Sequence, residues 1–313
     1  MNVRWINDKE SVFDRPVLTI GTFDGVHCGH LEVLRTLSRR AAERNRKSLV
    51  ISFDVPPRLV LQPNLPTRIL SSIDEKTERI ARAGIDNLLL IPFTLDFAAL
   101  SPEEFTRKYL YEHLHASEVI LGYDHMFGKN GSGGYEMMKQ LGPLYDFEVQ
   151  QVQPRLCNGT LVSSSLIRRL LETGETESAA SYLGYPYSIT GKVILGNQLG
   201  RTIGFPTLNI EPLDPLKILP GKGVYSMKAE IGGKTYPAMG NIGSRPTVDP
   251  DNPVLNLEVH VLDFNSEIYN ETVRVSFGVK IRDEIRFSGL DELKNQLEKD
   301  KQRIRNNTQF HEI

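Results

Sequence analysis

The chain has 313 residues, which at roughly 150 residues per domain suggests two domains, and it is 40% apolar and 24% charged. A formal net charge of −2 gives no general attraction to nucleic acid or to an anionic membrane. No apolar run reaches the ~18 residues that span a bilayer, and the first ten residues lack the apolar core of a signal peptide.

Only Cys28 and Cys157 are present, so no disulfide framework is expected and a reduced cytoplasm fits. In chain order, Val17–Ile20 is a short apolar run bounded by Pro16 and Gly21, as a buried strand would be. Gly21-Thr-Phe-Asp-Gly-Val-His-Cys-Gly-His30 follows, and then Leu31, Val33, Leu34, Leu37 and Ala41 recur at helical spacing. A strand, a Gly-rich turn and a helix in that order aim backbone N–H groups and a helix dipole at a phosphate. Gly21, Gly25 and Gly29 leave room for a ligand against the backbone. His27 and His30 share one side if the helix has begun, and two imidazoles there can donate to charge developing on a phosphate. The alternative at these positions is structural, with His27 capping the turn and His30 packing under the sheet.

Runs at 48–53, 87–92, 117–122 and 147–152 read as further strands, and helical spacing recurs at 31–46, 74–83, 102–114 and 134–142. Ser101, Pro102 and Glu104 form a capping box with its proline in place. The alternation predicts a parallel sheet covered on both faces, with ligands beyond the carboxyl ends of its strands. Gly122–Gly134 holds Asp124, His125 and Lys129 among five glycines, and is either part of that site or a surface loop. Ser163, Ser164 and Ser165 open a helix one turn before Arg168. Such serines can cap the helix or hold a phosphate.

After Tyr187 the pattern changes to short alternating runs broken by Gly, Pro and Asn, including 192–195, 223–228, 234–238 and 255–261. Gly232-Gly233 between two runs signals a hairpin. The predicted organisation is a domain over 1–185 and an all-β barrel over 186–313, with helix returning at 289–305. In Gly200-Arg-Thr-Ile-Gly-Phe-Pro-Thr-Leu-Asn209, Thr207 and Asn209 leave one face of an extended chain. A hydroxyl and an amide oxygen suit Mg²⁺ carried on nucleotide phosphates, and a polar strand face is the plainer alternative. Glu258 lies opposite the apolar Leu255, Leu257, Val259 and Val261, either solvated or placed to take a proton from a hydroxyl.

Taken in order from about residue 15 to 305, G-T-F-D-G-V-H-x-G-H, S-S-S-x-I-R, G-R-x-I-G-F-P-T-x-N, N-I-G-x-R-P-T at 241–247 and the Glu258 strand resemble the prokaryotic bifunctional FAD synthetases. The resemblance implies a Rossmann-like α/β nucleotidyltransferase domain, then a Greek-key flavokinase barrel with C-terminal helices. It implies that ATP phosphorylates riboflavin to FMN in the barrel, and that FMN and ATP give FAD and pyrophosphate in the first domain. By the same resemblance Thr207 and Asn209 hold Mg²⁺, Glu258 is the base, and His27, His30 and Arg168 stabilise adenylyl transfer. Gly21, Phe23, Asp24, Gly29, Asp124, Lys129 and Ser163–Ser165 would line the first nucleotide site, and Gly200, Arg201, Gly204 and Pro206 the second. The expected partners are these small molecules, with neither nucleic acid nor membrane among them. The chain departs from the family at Pro56, usually His; at Met126 and Gly131, commonly Arg; and at Leu208, usually Ala. A kinase with a weak or inactive adenylyltransferase half is the second reading.

Overall fold

The computed structural model describes residues 1–6, 13–196, 199–244 and 255–306. Packing divides the chain into two compact units, Met1–Ser164 and Ser165–Ile313. By this division the serine-led helix α5 (Ser164–Glu172) and α6 (Thr176–Leu183) fall almost wholly in the second unit.

The first unit is a six-stranded parallel sheet of β1 (Asn2–Trp5), β2 (Val17–Ile20), β3 (Ser48–Phe53), β4 (Asn87–Ile91), β5 (Glu118–Gly122) and β6 (Glu148–Val152), in the order β1-β4-β3-β2-β5-β6. Alternate side chains serve two cores. Leu18, Ile20, Leu49, Ile51, Leu89 and Ile91 pack on one face, and Val17, Val50, Leu88, Leu90 and Ile120 on the other. Burial on both faces explains why these strands are apolar without alternation. Edge strand β1 was not apparent in the sequence, because Asn-Val-Arg-Trp is short and largely exposed.

Helix α1 (Cys28–Glu43) starts three residues before Leu31, where its apolar spacing begins. Helix α2 (Ile73–Arg82) opens on a reciprocal Ser72–Glu75 capping box, and α3 begins at Pro102 on the expected Ser101–Glu104 box. From Thr106 to His113 α3 widens to π geometry. Thr106 Oγ1 donates to the Pro102 carbonyl (2.8 Å), and such back-bonding loosens the regular ladder. Helix α4 spans Tyr135–Leu141. A small hairpin of β7 (Leu156–Cys157) and β8 (Thr160–Leu161) follows β6.

In the second unit β9 (Ser188–Ile194), β10 (Leu208–Pro212), β11 (Gly223–Ile231), β12 (Lys234–Ser244), β13 (Leu255–Val261) and β14 (Thr272–Arg282) close into an antiparallel barrel in the order β10-β13-β12-β11-β14-β9. The expected hairpin turn at Gly232-Gly233 has φ of 55° and 78°, positive at both positions as a type I′ turn requires. Strand β14 was missed because arginine, serine and glycine interrupt its pattern. In-register Ile210, Leu257 and Ile242 are at most 4% exposed and fill the barrel interior. One C-terminal helix is described, α7 (Leu290–Asn306). Its Leu293, Leu297 and Ile304 pack on Ile203, Phe205, Val224, Met239 and Ile281. Arg282 of β14 pins it through Asp300 (2.8 Å).

Candidate active sites

In the first unit the strand order reverses between β2 and β5, which is where open parallel sheets hold ligands. A cleft of about 300 Å³ opens there, walled by the ends of β2, β5 and β6, by Gly21–Asp24, His27, Gly29, His30 and Tyr123–Met126, and by Ser163 and Ser164. The turn after β2 is held in left-handed backbone at Phe23 (φ 48°), Gly25 (φ 81°) and Val26 (φ 38°). Asp24 braces it, because its Oδ1 accepts from the amides of Leu70 (2.8 Å) and Ser71 (3.0 Å). Ser164 Oγ donates to the Asp24 carbonyl (2.9 Å), seating the serine run on the same turn. A Cβ at Gly21 would meet the Phe23 ring at 2.9 Å, so the turn accepts only glycine there.

His27 is the N-cap residue of α1, and its ring stacks on His30 with centroids 3.7 Å apart and planes inclined by 19°. Phe23 closes edge-on against His30. Burial, then the nearby His27 and Lys76, push the His30 pKa well below its ordinary value. The ring is therefore neutral at pH 7 and has one N–H to donate. Its buried Nδ1 has no hydrogen-bond partner among the described residues. His125 in the opposite wall is pushed down to about 4 by burial.

Beneath the turn, Lys76 Nζ donates to Phe53 O (2.8 Å), Ser52 Oγ (3.0 Å) and Thr22 O (3.4 Å). Burial lowers its pKa to about 8, against the opposing pull of Asp24 and Asp54. Unfolded, this lysine keeps its proton to about pH 10.4, so the unfolded state binds more protons between that value and about 8. Stability therefore rises with pH across this window. Thermal unfolding midpoints from pH 8 to 10 should show that component in the parent and lose it in Lys76→Met; parallel profiles would contradict it.

The second cavity, about 310 Å³, lies on the outer wall of the barrel under α7 and the Gly200–Thr207 segment. Cross-strand register lines up Asn209, Glu258, Asn241, Val224 and Arg282 across five strands, and paired residues share a face. Glu258 therefore stands between Asn209 and Asn241, and Asn256 Nδ2 donates to its Oε1 (2.9 Å). Leu208 pairs instead with Val259, on the face opposite Asn209, as expected from alternation. Gly196 approaches Asn209 so closely that a Cβ would fall 2.0 Å from Nδ2. Gly200 is packed against the Phe205 carbonyl, and Gly204 takes φ 86°.

Residues 9–166 match the family model described as FAD synthetase, and residues 183–308 that described as riboflavin kinase. The bifunctional riboflavin kinase/FMN adenylyltransferase of Listeria monocytogenes is 38% identical, over 92% of this chain and 91% of its own length. The protein so described in Escherichia coli K12 is also 38% identical, over 91% of this chain and 90% of its own. The chain belongs to the bifunctional riboflavin kinase/FMN adenylyltransferase family. A crystal structure described as a macrolide-efflux protein from Streptococcus pneumoniae has the same fold, with TM-score 0.89 and 31% identity over 98% of this chain and 100% of that one. No helix among the described residues is long and apolar enough to cross a membrane.

Against this family frame, His27, His30, Gly21, Phe23, Asp24, Gly29, Asp124, Ser163 and Ser164 converge on the first cleft. Lys129 is exposed and does not line it. Met126 does line it, while Gly131 (φ 63°) shapes its own turn and Pro56 precedes a short helix. Ser165 and Arg168 belong to the second unit, where Arg168 donates to Ser165 Oγ (3.3 Å). In the barrel, Gly200, Thr207 and Glu258 line the cavity, whereas Arg201 pairs with Glu267 (2.9 Å) and Pro206 is exposed. The motif at 241–247 is described only through Ser244, so Arg245-Pro-Thr247 lies outside the described residues. Lys76 and Ser71 went unread as site residues, because α2 reads as an ordinary amphipathic helix and gives no signal of what lies beneath the turn.

One expectation is overturned. Cys28 and Cys157 are bonded to each other across 129 residues of sequence. Two isolated cysteines give no hint of pairing, since the bond depends on the hairpin after β6 returning to the start of α1.

Proposed function

We propose that the two cavities act in series on one flavin. In the barrel, the terminal ribityl hydroxyl of riboflavin attacks the γ-phosphate of ATP and yields FMN. In the parallel-sheet unit, the FMN phosphate attacks the α-phosphate of a second ATP and yields FAD and pyrophosphate. The observation that carries this reading is that each unit has its own cavity of ligand size, walled by the motif residues of one of the two reactions.

Glu258 takes the proton from the attacking hydroxyl, and Asn241 and Asn209 flank it on the neighbouring strands. Thr207 and Asn209 offer neutral oxygens: Thr207 lines the cavity, and Asn209 is buried beside Glu258 with Gly196 packed against its amide. That donor set fits Mg²⁺ arriving on ATP rather than a resident ion held by carboxylates. Such an ion would offset phosphate charge, and backbone amides at the start of the Gly200–Gly204 turn would donate to the same phosphates.

In the first unit the nucleophile is a phosphate whose second pKa is about 6, so it is largely ionised at neutral pH and needs no strong base. His27 and His30 donate to the α-phosphate as charge builds there, and the Ser163–Ser164 segment and the start of α1 add hydrogen bonds. Asp24 holds the turn in shape. We keep the functional division at residues 185/186, close to the start of the riboflavin kinase match at 183. We infer a cytoplasmic enzyme, where ATP and flavins are available. The test of the first-unit assignment supplies FMN, ATP and Mg²⁺: FAD and pyrophosphate should form in equal amounts. Failure of both to appear would leave a riboflavin kinase with an inactive first unit.

A further inference from the structure

In the barrel, β10 pairs with β13 only from Leu208 onward, where Leu208 faces Val259. Thr207 precedes this first rung and has no strand partner to fix it. The next residue of β13 fills the gap: His260, 8% exposed, places Nδ1 2.8 Å from the Pro206 carbonyl oxygen. A carbonyl only accepts, so Nδ1 carries the proton. The ring also packs on Phe205, with centroids 5.1 Å apart. One hydrogen bond and one ring contact thus anchor the Phe205–Pro206 bend that delivers Thr207 to the cavity. We propose that His260 is a positioning residue for riboflavin phosphorylation, extending the β10–β13 ladder by a side-chain rung so that Thr207 meets the metal-bound phosphates. This rests on the reading of Thr207 as a metal-contacting residue.

The test compares His260→Asn, His260→Gln and His260→Leu in the full chain. The Asn amide nitrogen stands as many bonds from Cα as Nδ1, whereas that of Gln matches Nε2. His260→Leu and His260→Gln should raise the Mg²⁺ concentration for half-maximal FMN formation about tenfold, the scale of one lost hydrogen bond. The KM for riboflavin and the rate of FAD formation from FMN should stay near parental, and His260→Asn should recover most of the Mg²⁺ response. Equal losses in all three, with the Mg²⁺ requirement unmoved, would overturn the proposal in favour of simple packing. Thr207→Ala separates the underlying reading: an unchanged Mg²⁺ requirement there would remove the metal role itself.

A second, independent observation concerns the bonded cysteines. Cys28 is the first residue of α1, directly after His27, and Cys157 lies in the β7–β8 hairpin. That hairpin has only two ladder pairs and leads into Ser163 and Ser164 of the cleft wall. We infer that Cys28 and Cys157 form a thiol–disulfide site that fastens the serine segment to the adenylyl-transfer cleft. Oxidation by a low-molecular-weight disulfide runs by attack of one cysteine thiolate, expulsion of one small thiol, and displacement of the second by the other cysteine. Two protein thiols and one small disulfide thus become one protein disulfide and two small thiols.

The test measures FAD formation from FMN after equilibration with oxidised glutathione or with dithiothreitol. Reduction should raise the KM for ATP severalfold and leave FMN formation from riboflavin unchanged. Cys157→Ser should match the reduced parent in both buffers. Identical kinetics in the two states, or two free thiols by mass after the oxidising treatment, would overturn the inference. Absence of FAD formation in either state would instead remove the first-unit assignment on which it rests.

Discussion

Glu258→Gln is expected to lower FMN formation from riboflavin by about 10²-fold or more, the usual contribution of a positioned general base. FAD formation from supplied FMN should be unchanged in the same protein. The substitution is close to isosteric, and the Gln carbonyl oxygen can still accept from Asn256 Nδ2, which now bonds Glu258 Oε1 at 2.9 Å. The row formed by Asn209, Glu258 and Asn241 is fixed by backbone register rather than by the carboxylate. What disappears is the ability to hold a proton from the attacking hydroxyl. Kinetics of riboflavin phosphorylation, with adenylylation as the internal control, check this. A parental rate would remove Glu258 from the chemistry.

The second large effect is expected at His30. His30→Ala should slow FAD formation by about 10²–10³-fold, the loss found when one preorganised donor to a developing charge is removed. FMN formation from riboflavin should remain parental. The ring is neutral at working pH because burial and the neighbouring His27 and Lys76 disfavour its charged form. It acts as a fixed hydrogen-bond donor, and any acidic limb near pH 6 in FAD formation should belong to the FMN phosphate and persist in the variant. His30→Gln, which keeps volume beside Phe23, distinguishes a lost donor from a collapsed turn. If His30→Ala kept its adenylylation rate, the stacked imidazoles would be packing alone.

The sequence was most legible where a local pattern has a single physical solution. A short apolar run ending in Gly21, followed by a helix carrying two histidines, has to place those histidines beside the strand end, and it does. Thr207, Asn209 and Glu258 could be assigned to faces by period-two alternation, and strand register then brought Asn209 and Glu258 side by side. What stayed hidden depends on tertiary packing. Lys76 reaches under the turn from a helix whose sequence reads as a solvated amphipathic one. The partner of His260 is a backbone carbonyl, which no pattern of side chains can announce. The Cys28–Cys157 bond joins segments whose proximity follows only from the return of the chain after β6. Asp24 illustrates a third case: its position in the motif was clear, yet its carboxylate is spent on the amides of Leu70 and Ser71.

The central claim is that two separate sites handle one flavin in succession, and mixing two crippled proteins tests it most directly. Over the time in which the parent completes both steps, Glu258→Gln alone should leave most riboflavin unconverted, and His30→Ala alone should accumulate FMN. Combined with riboflavin, ATP and Mg²⁺ and followed by chromatography, they should produce FAD after a lag in which free FMN accumulates. A mixture that accumulates FMN and makes no FAD, although Glu258→Gln alone converts added FMN, would contradict two independently competent sites.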